Sequence, residues 1–170
     1  STRSQDYPVS KTAFQPNFRG GNTGDPNLDG DLFVTKISSD GKQLLASTYL
    51  GGSKADNNAE GIATDYYGNI VITGQSSSTD FPLTAGAQAL GSEQDNVLVI
   101  LKDDLSGLIY SSFTAGAGLR SLDSAGLAIV GAGMTASPGW PTLGAFQSYQ
   151  GATDATILKL AVQGGTLYRV

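Results

Sequence analysis

Apolar residues along this chain fall in short runs of about four to eight, and no stretch sustains a helical period. The runs predict strands at 32–36, 43–50, 61–65, 69–74, 97–102, 108–114, 119–122, 127–132, 156–159 and 165–170. Several are apolar at successive positions, as in Ile70-Val71-Ile72 and at 97–101, which is the pattern of strands covered on both faces. The Ala-rich stretch 115–133 is too punctuated by glycine to hold a helix. Asp40-Gly41, between two strand-like runs, predicts a two-residue hairpin with both central residues at positive φ. Tyr67-Gly68-Asn69 and Ser124-Ala125-Gly126 join two more strand pairs, each just after an aspartate (Asp65, Asp123) able to bond its own turn.

The elements recur. Three segments open on an aromatic residue and proline and close on glutamine: Tyr7-Pro8 to Gln15, Phe81-Pro82 to Gln88, and Trp140-Pro141 to Gln147. A Gly-rich stretch and a strand reaching a lysine follow each, at Lys36, Lys102 and Lys159, so that the lysines are expected at one strand position. Equivalent positions lie about 60 to 75 residues apart, with the variation in the loops, as a repeat fold expects. Short antiparallel strands in fours, buried on both faces, predict an all-β, β-propeller-like stack of four-stranded antiparallel blades. The expected blades are an incomplete first one at 1–59, a second at 60–117 and a third at 118–170, within a single region, about two and a half to three repeats in all. A β-sandwich would use similar strands but would not repeat the Pro-to-Gln element. A parallel β-helix would need shorter, more regular coils. So few blades cannot close a ring of four to eight. The chain is therefore expected to be part of a longer protein or a subunit completed by copies or partners.

Composition narrows the chemistry. Of 170 residues, 39% are apolar and 15% charged, too apolar for a disordered chain. The net charge of −5 offers no basic field for nucleic acid, and no apolar run is long enough to span a membrane. With no His and no Cys there is no Ser-His-Asp triad, no cysteine nucleophile and no His/Cys zinc site. The chain opens at Ser1 without a Met or a basic-then-apolar leader, as a processed or excised piece would.

One stretch carries a family resemblance. Asp31-Leu32-Phe33-Val34-Thr35-Lys36, Thr48-Tyr49-Leu50-Gly51-Gly52, Glu60-Gly61-Ile62-Ala63-Thr64-Asp65, Gly68-Asn69-Ile70-Val71-Ile72-Thr73-Gly74 and Ser78-Thr79-Asp80-Phe81-Pro82 resemble the bacterial SBBP β-propeller repeat. The flanking copies are more degenerate: Ser112-Phe113-Thr114-Ala115-Gly116 replaces the Thr-Tyr-Leu-Gly-Gly element. The resemblance implies a module of large exported or surface-associated bacterial proteins and supplies no catalytic residues.

Candidate sites are few. Asp25, Asp29 and Asp31 share a glycine-bearing loop, the best place for Ca2+, although the alternating spacing and distant Glu of an EF-hand are missing. The plainer alternative is a solvated turn with Asp31 capping a strand, and the loop Asp56-Asn57-Asn58-Ala59-Glu60 has the same two readings. Metal dependence is expected to be absent or weak, and no other cofactor is expected. Tyr7, Phe81 and Trp140, each before a proline, could stack sugar rings from one rim or plug the gap between blades. Tyr66 and Tyr67 form a turn pair that could bind a ligand, and 75–79 is a polar loop. Glu60 and Glu93 are the only glutamates available to a glycosidase pair, and nothing in the sequence brings them together. The expectation is a non-catalytic structural or protein-interaction module, extracellular, at the cell surface or periplasmic, that associates with itself or with protein partners through open blade edges. The alternatives are a carbohydrate-binding or Ca-assisted adhesion module and, behind it, a polysaccharide hydrolase or lyase fragment.

Overall fold

The computed structural model describes residues 1–21, 29–87, 89–91, 93–114, 117–125, 128–136, 150–163 and 166–169. Ten strands form three antiparallel sheets, and none of the described residues is helical. A two-stranded sheet pairs β1 (Leu32–Ile37) with β2 (Leu44–Leu50). A four-stranded meander follows: β3 (Asp56–Thr64), β4 (Ile70–Ser76), β5 (Asp95–Leu101) and β6 (Leu108–Phe113). The third sheet repeats it with β7 (Ala117–Ala125), β8 (Ala128–Thr135), β9 (Asp154–Gln163) and β10 (Thr166–Arg169). The chain is all-β, built of propeller-like blades.

The sheets stack face to face, which is why their middle strands are apolar on both sides. Val97, Val99 and Leu101 pack with Leu32, Val34, Ile70 and Ile72 in the seam between the first two sheets. The alternate residues Leu98 and Ile100 pack with Val71 and Ile129, and partly buried Leu122 and Leu158, in the seam between the second and third. The first two aromatic-Pro segments are straps beside β2 and β6; the third lies outside the described residues. Ser10 N donates to Ser47 O on β2 (2.9 Å), and Thr84 N to Ser111 O on β6 (3.1 Å).

Three details differ from the expectation. The Asp40-Gly41 connection is not a two-residue hairpin. Gly41 N donates to Ser38 O, Ser38 N to Gln43 O, and of the pair only Gly41 has positive φ, at 72°. Asp40 instead bonds the turn from below, its Oδ1 accepting from Ser38 Oγ (2.6 Å) and Lys42 N (3.1 Å). This is a tight turn closed by a left-handed residue, which needs one such φ and not two. The same construction recurs at Asp65-Tyr66-Tyr67-Gly68, with Gly68 at 83°, and at Lys102-Asp103-Asp104-Leu105, with Leu105 at 59°. That match places Lys102 opposite Ser38, not Lys36: it starts the turn after β5, whereas Lys36 and Lys159 lie within β1 and β9. The loop expected at 56–60 is the start of β3, with a bulge between Asn57 and Gly61 and Asn58 at φ 50°.

Candidate functional site

The densest polar cluster lies where the chain passes from β2 to β3 at Gly51-Gly52. A Cβ on Gly51 would collide with Asp31 Oδ1 and sit 2.7 Å from Asp56 Oδ2; one on Gly52 would sit 2.5 Å from Asp80 Oδ1. Only glycine lets the backbone thread between three carboxylates. Asp31 opens β1 and is held by an antiparallel bridge to Thr2. Its Oδ2 accepts from Arg19 N (2.8 Å) and Gln15 Nε2 (3.1 Å), and Gln15 Oε1 accepts from Gly51 N (3.0 Å). Asp56 opens β3; its Oδ2 accepts from Gly52 N (2.6 Å) and Ser78 Oγ (2.9 Å). Asp80 Oδ1 takes Ser53 N (2.7 Å) and Ser53 Oγ (2.9 Å), and its Oδ2 lies 3.4 Å from Arg19.

Asp31 and Asp56 are fully buried, and each keeps one oxygen, Oδ1, without a hydrogen-bond partner. Burial pushes the Asp31 carboxyl up to about 7 against the Arg19 N–H bond, and the neighbouring Asp56 charge adds to the rise. Burial likewise lifts Asp56 to about 6, opposed first by the Ser76 hydroxyl and then by the Gly52 and Ser78 bonds. Two neighbouring buried acids cannot both ionise cheaply. Chemically, the cluster is a polar clasp between neighbouring sheets that holds a proton at mildly acidic pH.

The residues singled out in the sequence are placed as follows. Asp31 is no solvated turn residue, because the Gly51 backbone covers it. Asp29 is buried on the wall of an open cleft of about 360 Å3 with Thr2, Arg3, Gly30, Asn57 and Asn58. Asp25 lies outside the described residues, and among those described no group of three acidic side chains is placed to hold a metal ion. Phe81 is buried against Phe113, ring centroids 6.0 Å apart, and presents no face to solvent. Tyr7 occupies the matching place beside Tyr49 at 6.1 Å, tilts against Phe33 at 4.3 Å, and bonds Thr35 Oγ1 through its hydroxyl (2.8 Å). Phe81 thus belongs to the first seam, whereas Tyr7, half-buried, packs against its own sheet. Trp140 lies outside the described residues. Tyr66 and Tyr67 are exposed, edge to face with each other, on the β3–β4 turn at the opposite end of the strand from Asp56.

Sequence reasoning passed over Gln15, Gly51, Gly52 and Asp80 as members of a site. The signal was the Gly-Gly pair itself, two adjacent glycines at a strand end where no turn requires them. Comparison with curated proteins gives no match. Residues 47–82 match the family model described as a beta-propeller repeat, SBBP, a span that contains Gly51, Gly52, Asp56, Ser78 and Asp80 of the clasp. With its meander sheets and with straps beside β2 and β6, the chain carries at residues 47–82 a stretch that matches the SBBP β-propeller repeat.

Proposed function

We propose that the chain is a non-catalytic structural or protein-interaction module of an exported or surface-associated bacterial protein, whose blades associate with further blades through open faces. One observation carries the association. Val34, Leu98 and Ile157 stand at the same place in β1, β5 and β9, three residues after the aspartate that opens each blade's third-strand position (Asp31, Asp95, Asp154). Val34 is 6% exposed and Leu98 3%, each covered by the next sheet, whereas Ile157 is 81% exposed. An apolar side chain at a position built for burial marks a face that another blade would cover. Among the described residues β1 pairs with β2 on one edge and, on the other, meets only the single bridge from Thr2 at Asp31, while its counterparts β5 and β9 are flanked along their length, so the rest of that edge can accept a strand. Few lysines and loops rich in Ser, Thr, Gly and Asn support an extracytoplasmic setting.

Sedimentation or light scattering at micromolar concentration tests the association. Particles heavier than the 17.5 kDa chain are expected. A monodisperse, well-folded monomer overturns the proposal.

A further inference from the structure

The seam between the second and third sheets contains a polar cavity of about 140 Å3, lined among others by Glu60, Asn96, Gly118, Arg120 and Met134. Two buried acceptors in it, Glu60 Oε2 and Asn96 Oδ1, have no hydrogen-bond partner. Both lie 3.3 Å from the point where a Cβ on Gly118 would stand, so the two oxygens sit side by side over a glycine whose missing side chain leaves room beside them. The Glu60 side chain is only 10% exposed. Its other oxygen faces Gln75 Nε2 (3.4 Å) and the exposed Arg120 guanidinium (3.8 Å). The site owes its shape to irregular backbone. The bulge between Asn57 and Gly61 lies at Glu60 on β3, and the bulge between Leu119 and Ser121 lies at Arg120 on β7. Such bulges re-aim side chains toward a site.

We propose that this cavity binds one sugar-ring-sized polyol through adjacent hydroxyls donated to Glu60 and Asn96. The two oxygens demand donors, because buried acceptors left unpaired are costly. A cation such as Ca2+ wants six to eight oxygens, and Arg120 already supplies the positive charge beside Glu60. A hydroxylated ring meets the whole lining: its hydroxyls donate to Glu60 and Asn96, a ring oxygen accepts from Arg120, and Met134, 44% exposed, offers an apolar contact to a C–H face. The cavity is several times the room one water occupies and smaller than a drug-sized pocket, which limits the ligand to a single ring or chain end. The site is independent of whether blades associate.

Saturation-transfer NMR and calorimetry with D-glucose, D-galactose, D-mannose and myo-inositol test it, with CaCl2 titrated separately. At least one polyol is expected to bind in the millimolar range, roughly −4 kcal/mol in free energy. Glu60→Gln and Gly118→Ala, the latter filling that room, should each weaken it at least tenfold with an unchanged circular dichroism spectrum. Arg120→Ala, on the exposed side of the site, should weaken it at least threefold and serves if Gly118→Ala fails to fold. Binding by none of the four polyols, binding unchanged in these variants, or binding of CaCl2 alone overturns the proposal.

Discussion

Asp31 and Asp56 each carry a proton in the folded chain at a pH where the unfolded chain has already released it. Their folded values, about 7 and about 6, lie above the unfolded value of 3.8. Stability from these groups is therefore complete below about pH 4 and is lost as pH rises through 6 to 7. The melting temperature is expected to be at least about 4 °C higher at pH 5 than at pH 8, the size that one or two kcal/mol gives in a chain of this length. Asp31→Asn, which keeps an acceptor for Arg19 and Gln15, should flatten that dependence and raise the melting temperature at pH 8. Equal or greater stability of the parent chain at pH 8 would show that the seam ionises freely. Gly51→Ala should cost about 1–3 kcal/mol or more in urea unfolding, since its Cβ meets two carboxylates fixed by hydrogen bonds.

At the scale of elements, three turns share one construction and differ in the residue that takes the left-handed φ. Gly41 and Gly68 do so as glycines, whereas Leu105 does so at 59° while fully buried in the first seam, its carbonyl accepting from Phe14 N (2.9 Å). A side chain in that conformation costs about 1–2 kcal/mol; burial of Leu105 offsets it. Gly41→Ala, which meets nothing within 4 Å, should thus cost only about 1 kcal/mol. Leu105→Ala keeps the strain and empties the core position, so it should cost about 2–5 kcal/mol. A smaller loss at Leu105 than at Gly41, by chemical denaturation, would mean the backbone term dominates. The turn at Asp65 was legible because Asp and Gly flank it; the Leu105 turn was not, because nothing local announces a leucine in that role.

Across the whole molecule, the two described seams are built from the same positions, with inward residues of one sheet meeting outward residues of the next. If the open face of the third sheet docks another blade, Ile157→Lys should shift the solution mass toward the monomer. The circular dichroism spectrum should stay unchanged, because Ile157 is already exposed in the single chain. A lysine there that leaves the mass of an oligomer untouched would place the contact elsewhere.

Most strand positions, the sequential pairing within each blade and the recurring aromatic-Pro segments were written in the sequence, because they follow from local period, glycine punctuation and repetition; that those segments lie as straps was not. Phe81 could be read either as a ligand platform or as a plug; only its packing against Phe113 within the first seam showed that it offers no face to solvent. Likewise, no local pattern says that Asp31 is buried beside Asp56, or that Glu60 and Asn96 flank Gly118. Those facts arise where one blade meets the next. Which residues share a seam is decided by the stacking of whole sheets and by two bulges that shift the register, a long-range outcome that the order of residues within one strand does not contain.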